Sequence, residues 1–361
     1  MQTDRFAEIR QDCLLVCAGQ PDVRAKLALQ HLAVTGGTGF LGTWIAETIA
    51  ALNDKYQLGI TLDLYARDVS AWAKKYPHLS QRIDIRLKEQ DVRSPFEFAR
   101  NTNFIVHAAG IPNNRVHSSD PFRVHQTTIL GLNNALDAST QLDNLSRFLN
   151  VSSCLVSGTP NRPGALTEKD YFPTDCGQLH KVYVEAKRAA ENLAAIYRSQ
   201  FRMHISTIRP FTFAGPYQEL DRPWALNNFL RDVLTGSDIR IHSDGHTRRS
   251  YMYGSDAAWW TLAAIVNGAD GVAYNVGSST AVTHLELIKL ITEQTSPKPR
   301  VVLNTVPSKQ GQDDLYPDVS FTQKNLGVTQ TCSLEQTVEK TWRWFAGPKN
   351  KNDITPWNPC G

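Results

Sequence analysis

The run Val34-Thr35-Gly36-Gly37-Thr38-Gly39-Phe40-Leu41-Gly42 limits what this chain can fold into more than any other stretch. Before it, Leu32-Ala33-Val34 has the apolar texture of a short buried strand. After it, Leu41, Ile45, Ile49 and Leu52 recur at the spacing of one helix face. The glycines therefore form a strand-to-helix turn. Residues without side chains let the backbone approach a pyrophosphate, and the N–H groups that open the helix attract its charge. Glycine-rich turns also serve purely structural ends, but strand, glycines and helix in this order favour nucleotide binding.

A second motif lies downstream. Tyr183-Val184-Glu185-Ala186-Lys187 puts a tyrosine and a lysine four apart, on one helix face, 30 residues after Ser153 in the pair Ser152-Ser153. An ammonium beside a phenol favours the phenolate, so Lys187 is expected to lower the tyrosine pKa from its usual value near ~10. A serine hydroxyl beside that tyrosine can hydrogen-bond a carbonyl or alcohol. Taken alone, such a pair is more often a solvated helix face; after a dinucleotide turn it reads as acid/base chemistry.

The pattern between the motifs alternates. Strands are expected at 60–65, 84–88, 103–107, 147–152 and 204–209, and helices at 41–52, 123–141 and 183–200. This alternation gives an α/β fold, a doubly wound parallel Rossmann sheet. The expected organisation is a helical N-terminal extension at 1–30, in which Phe6, Ile9, Cys13, Leu14 and Cys17 keep helical spacing, and a dinucleotide-binding domain at 31–215. A smaller, interleaved C-terminal lobe spans 216–346, with 251–280 returning to the sheet, and a loosely ordered tail spans 347–361. A chain of 361 residues suits one large or two interlocked units.

The balance of 38 Lys plus Arg against 35 Asp plus Glu is too even to suggest nucleic-acid or membrane binding. No stretch approaches the ~20 apolar residues of a membrane span. The six cysteines (13, 17, 154, 176, 332 and 360) form no paired ligand motif, so no metal site is expected and a reducing cytoplasm fits best.

From about Leu32 to about Phe345 the chain resembles the extended short-chain dehydrogenases/reductases, the NAD-dependent epimerase/dehydratase family. Thr35 to Gly42 is similar to the family's cofactor turn, which implies cofactor contacts at Gly36, Gly39, Phe40, Leu41 and Gly42. Asp91-Val92-Arg93 resembles its adenine-side motif, with contacts at Asp91 and Val92. Val106-His107-Ala108-Ala109-Gly110 resembles the strand end that passes the cofactor ribose, at Ala108, Ala109 and Gly110, and leaves His107 a structural residue. Val151-Ser152-Ser153-Cys154-Leu155-Val156-Ser157-Gly158 resembles the catalytic serine strand with Ser153 as its serine, and Tyr183 and Lys187 fall on the catalytic pair. Lys187 is also expected to hold the nicotinamide ribose. Arg209 to Pro216 is similar to the segment bordering the nicotinamide, with Pro210 on the cofactor and Thr212 towards substrate. Asp244 to Tyr251 resembles the segment that contacts a substrate diphosphate, with Arg249 as its arginine, and Asn228 is a further substrate candidate.

The resemblance also divides the possible reactions. Its sugar 4,6-dehydratases carry an Asp-Glu pair after the catalytic Ser/Thr, and its nucleotide-sugar decarboxylases rely on the second acid. Cys154 and Leu155 stand there in this chain. A thiol is a poor substitute acid and leucine is inert, so both reactions are disfavoured. A nucleotide-diphospho-4-keto-6-deoxy-sugar reductase is expected first, with a nucleotide-sugar 4-epimerase carrying tightly bound NAD as the alternative. A non-catalytic NADP sensor is the reading from another class. NAD-binding members end the second strand with an acid; here it ends Leu64-Tyr65-Ala66-Arg67-Asp68. A small residue beside a guanidinium suits a 2'-phosphate, so NADP is favoured over NAD through Arg67, unless Asp63 or Asp68 takes the ribose. Thr128 and Thr212 stand where relatives have asparagine. Tyr217, Asn228 and Tyr251 are candidates for the sugar pocket or else ordinary packing or surface residues. The helices 123–141 and 183–200 match the pair through which relatives commonly form homodimers, though their stripes equally suit internal core.

Overall fold

The protein is described from a computed structural model, in which residues 5–241, 243–295, 298–303 and 314–347 are placed. The tail expected beyond Gly347 lies outside the described residues. Seven strands form the main sheet: β1 (His31–Thr35), β2 (Thr61–Ala66), β3 (Ile85–Glu89), β4 (Phe104–His107), β5 (Arg147–Val151), β6 (Ile205–Pro210) and β7 (Ala273–Val276). Their order is β7-β6-β5-β4-β1-β2-β3, and every neighbouring pair is parallel. The winding reverses between β1 and β4. A crevice opens outside the carboxyl ends of strands at such a reversal. Thr35 and His107 lie opposite each other there, so both strands end level with it.

Both faces of the sheet are covered by helices, which is why its central strands β1 and β4 are buried along their whole length, while the edge strand β3 alternates. The helices that matter below are α1 (Arg5–Cys17), α2 (Pro21–Leu27), α3 (Phe40–Tyr56), α4 (Asn114–Ser119), α5 (Pro121–Ser139) and α6 (Val182–Phe201). The later ones are α7 (Ala225–Leu234), α8 (Gly254–Asn267), α9 (His284–Thr292) and α10 (Leu334–Ala346). On one face α5 and α6 bury Leu132, Ala135, Leu136, Ala190 and Ala194 against Ile105 and Phe148. On the other, α3 and α8 bury Trp44, Ile45, Ile49, Ala257 and Trp260.

The N-terminal extension completes this second face. Ile9, Cys13 and Cys17 are buried and α1 packs on α3 and α8. It is tied to the other end of the chain by Lys340, whose Nζ lies 2.9 Å from Asp12 Oδ1 and 3.1 Å from Glu8 Oε1. A second short helix, α2, starts at Pro21 in the first turn, where proline costs no hydrogen bond, and buries Val23 and Leu27.

Trp44 is the hinge of the packing. Its ring meets Tyr217 at 5.3 Å and Tyr253 at 5.1 Å, and its Nε1 donates to Pro216 O over 3.1 Å. A Cβ on Gly254 would lie 2.0 Å from Trp44 Nε1, so glycine is the residue that lets α8 start there. Tyr217 is thereby removed from the sugar pocket: it is 7% exposed and its hydroxyl donates to buried Glu47. Tyr251 is removed as well, being 2% exposed within the core of the C-terminal lobe. A lone aromatic residue in a sequence does not say which way its ring points.

That lobe core joins α7, α9 and α10 through Leu226, Phe229, Leu230, Leu287, Ile291, Leu334 and Val338. Between its parts the chain crosses to the main body, where α8 packs on α3 and β7 extends the sheet beside β6. Among the described residues no helix is long and apolar enough to cross a membrane.

Candidate active-site cleft

The glycine turn connects β1 to α3 at the crevice. Gly36 has φ +69°, which favours glycine, and a Cβ there would lie 2.8 Å from Ala108 O. A Cβ on Gly42 would lie 2.3 Å from Gly37 O. The turn thus presses on the strand end at Ala108 and Ala109, and Ala109 N donates to Thr35 Oγ1 over 3.3 Å. Gly39 caps α3 with no side-chain hydrogen bond, leaving the N–H groups at Phe40 and Leu41 facing the open end. These features fit a dinucleotide: a backbone cradle that any Cβ would fill, at an uncapped helix start.

At the far end of the crevice, β2 ends at Ala66 and Arg67 is exposed just beyond it. The two neighbouring acids differ in their partners. Asp63 is fully buried, 2.6 Å from Arg86 Nε and 3.2 Å from His31 Nε2. Burial alone would raise its carboxyl, but these two partners outweigh that and hold it below the usual range. Asp68 accepts from Ser70 N at 3.1 Å and Ala71 N at 3.3 Å, opening the next helix. The Asp91 carboxylate is taken by Arg93 Nη2 at 2.6 Å and held low first by that contact, with Arg67 adding. Val92 is buried, and its carbonyl accepts from Asn134 Nδ2 over 2.8 Å.

Ser153 follows β5 in extended backbone, and its Oγ accepts from Leu155 N at 3.2 Å. Tyr183, in the first turn of α6, is 6% exposed, with Ser153 beside its hydroxyl. Lys187, one turn on, is 4% exposed; its Nζ donates to Val151 O over 2.7 Å and sits 5.9 Å from the Tyr183 ring centre. A Cβ on Gly110 would lie 3.9 Å from that Nζ, so the lysine faces the glycine at the β4 end. The expected depression of the tyrosine is corrected here. Burial pushes the Tyr183 hydroxyl well above its usual value, and Ser153 offsets only part of that. Burial also lowers Lys187 to about 8. His107 is buried, pairs with Thr35 Oγ1 at 2.9 Å, and is pushed down to about 3 by burial with Lys187 adding, so it stays neutral.

Cys154 and Leu155 belong to an apolar cluster with Leu166, Phe172, Phe211 and Leu315. Burial pushes the Cys154 thiol up to about 12 despite the nearby charge of Arg249, so it is no acid at neutral pH. The half-buried Arg249 places its charge near Cys154, Tyr251 and His284. The Thr212 carbonyl accepts from Met252 N at 3.0 Å within the main body, and Pro210 ends β6 beside Val276. The Asn228 side-chain carbonyl accepts from Arg231 at 3.0 Å. Thr128 spends its hydroxyl on Val124 O, at 2.8 Å. Among the described residues no cluster of His, Cys, Asp or Glu suits a metal.

Two residues of the cleft went unread in the sequence. Arg188 donates from Nε to Val156 O and from Nη2 to Phe172 O, each at 2.8 Å, riveting the segment after Ser153 to the loop before Tyr183. His117 stacks on Tyr183 with ring centres 4.4 Å apart and planes 13° apart. Neither shows in a periodicity; only its position one after Lys187 hints at Arg188.

Comparison with known proteins agrees with this geometry. The protein-family model described as NAD dependent epimerase/dehydratase family matches residues 32–277. UDP-glucuronic acid decarboxylase 1 of Arabidopsis thaliana is 26% identical over 318 residues, covering 86% of this chain and 68% of that protein. UDP-glucuronate 4-epimerase 4 of the same plant is 25% identical over 335 residues, covering 86% and 74%. The crystal structure of UDP-glucuronic acid 4-epimerase from Bacillus cereus with UDP-glucuronic acid and NAD superposes with a TM-score of 0.74 at 20% identity, covering 87% of this chain and 98% of that one. With the family model spanning both the glycine turn and the Tyr-Lys pair, the chain belongs to the NAD-dependent epimerase/dehydratase family.

Proposed function

We propose that this protein is a nucleotide-sugar enzyme working by hydride transfer at sugar C4, and that 4-epimerisation is its leading reading. One observation carries this: Ser153, Tyr183 and Lys187 meet in a buried cleft beside a dinucleotide cradle, while the next two positions, Cys154 and Leu155, lie in an apolar cluster. The relatives include decarboxylases as well as 4-epimerases. With Leu155 at the position of the decarboxylase glutamate, in an apolar cluster, that position gives neither dehydratase nor decarboxylase chemistry its carboxylate. The epimerases among the relatives and neighbours therefore weigh more, and their names point to a UDP-sugar.

In this reading Gly36, Gly39, Phe40, Leu41 and Gly42 hold the pyrophosphate, Asp91 and Val92 flank the adenine, and Ala108, Ala109, Gly110, Lys187 and Pro210 line the ribose and nicotinamide. The nicotinamide, when bound, accepts and returns the hydride at C4. Ser153 hydrogen-bonds the C4 oxygen. Tyr183, held protonated in the ligand-free cleft, gives its proton to a C4 carbonyl and takes it back from the alcohol. Lys187 supplies the cation that favours the phenolate in the oxidising direction. Arg249 binds the diphosphate, with Thr212 and Asn228 beside the sugar. In the same reading a homodimer would form through α5 and α6, on which Leu130 and Ile196 are exposed.

A second reading, a 4-ketoreductase using NADP, is favoured by the end of β2. Ala66 leaves room, Arg67 supplies charge, and buried Asp63 is committed to Arg86 and His31. A sensor without turnover has no use for the Ser153–Tyr183 contact. Two measurements separate these. An epimerase releases NAD on denaturation of the purified protein and interconverts UDP-sugar C4 epimers with no net change in nicotinamide absorbance. A reductase consumes NADPH in step with a 4-keto-6-deoxy sugar. In either case Tyr183→Phe keeps cofactor binding and loses turnover by about 10²–10⁴-fold. Near-normal turnover in that variant would remove Tyr183 from the chemistry.

A further inference from the structure

Tyr183 lies in the first turn of its helix, where Lys181 before Val182 makes no side-chain cap. The backbone there is held by the turn Leu179–Lys181, whose Leu179 O accepts from Val182 N, and by Arg188 on Val156 O and Phe172 O. The phenol ring itself is met by His117, on α4. Its imidazole covers one face of the phenol, nearly parallel at 13° with ring centres 4.4 Å apart, and His117 is 7% exposed. The ring is fixed at its other end: Nε2 donates to Ile111 O over 2.7 Å, next to Gly110 at the end of β4. Asn113 caps α4 through Arg115 N at 3.0 Å, and α4 packs on the turn Leu179–Lys181 directly before Tyr183.

We propose that His117 is a positioning residue for Tyr183, holding the phenol at the angle that meets Ser153, excluding water from its face and linking its orientation to the loop after β4. The proposal rests on Tyr183 being the acid/base of the cleft. The imidazole acts as a flat, anchored plate. An aliphatic side chain would not cover the ring face, whereas a flat aromatic ring at this place does. The direction of the Tyr183 shift agrees, since a phenol kept from water resists ionisation.

The test reads Tyr183 itself. The protein is labelled with tyrosine carrying 13C at the hydroxyl-bearing ring carbon, and the Tyr183 signal is identified by its loss in Tyr183→Phe. In the wild type this signal stays protonated where exposed tyrosines ionise, near pH ~10. In His117→Ala it should ionise about one pH unit or more lower. Turnover of the nucleotide sugar should fall about tenfold or more, with KM within about twofold. His117→Phe, which keeps the plate, should restore most of the titration and of kcat. Unchanged titration and turnover in His117→Ala, or identical behaviour of His117→Ala and His117→Phe, would overturn the proposal. Should His117→Ala fail to fold, His117→Gln takes its place: it can still donate to Ile111 O but has no ring, and wild-type behaviour from it would also overturn the proposal. If the wild type turned over no nucleotide sugar while the titrations of His117→Ala and His117→Phe still differed, the positioning role would stand and the functional reading would fall.

Discussion

Burial sets the chemistry of Lys187 before any ligand arrives. Taking an ammonium out of water lowers its pKa, here to about 8, so its charge is present below that pH and fades above it. Affinity for the dinucleotide should therefore be full on the acid side and fall as pH rises through about 8. Calorimetric titration across that range should show the fall in the wild type and a flat, weaker profile in Lys187→Met. A wild-type profile without the fall would take Lys187 off the ribose. Arg67 makes a second residue-scale prediction. Its loss in Arg67→Ala should weaken NADP about tenfold or more while leaving NAD nearly unchanged, because a charge-assisted phosphate pair is strong and only NADP has that phosphate. Equal weakening of both cofactors would count against it. Tyr183 is the reminder that side-chain spacing cannot see burial: four residues put Lys187 on its face, yet the ammonium turns to Val151 O and desolvation sets the direction of the shift.

At the scale of elements, the turn from β1 into α3 was legible because the hydrophobic period changes across it and only glycine fits its closest approaches. The seven parallel strands were legible for the same reason, as apolar or alternating runs between helical stretches. What escaped were elements too short to show a period. The six residues of α4 carry His117 onto Tyr183, and the seven of α2 brace the N-terminal extension. Tyr217 and Tyr251 escaped differently, since their composition suits a pocket and only packing shows that they fill cores. The contact of Gly254 with Trp44 gives this scale its own test. Gly254→Ala must push the indole or the start of α8, at a cost of about 1–3 kcal/mol in urea unfolding. Wild-type stability would mean that the hinge has slack.

Across the whole molecule, the cleft exists because the sheet reverses between β1 and β4 and because the C-terminal lobe is built from stretches on either side of α8 and β7. The reversal opens the crevice for a dinucleotide, and the lobe brings Arg249 near Cys154, over the Ser153 end of β5. The extension and α10 are joined through Asp12 and Lys340. The central claim is hydride transfer at C4 without acid/base work at C5 or C6. Its most direct test is a UDP-sugar carrying deuterium at C4, given to the purified protein and followed by NMR. The account predicts conversion to the C4 epimer with the deuterium still at C4, slowed by a primary isotope effect and lost in Tyr183→Phe. A 4-keto-6-deoxy product, or a decarboxylated sugar, formed at comparable rate would contradict it.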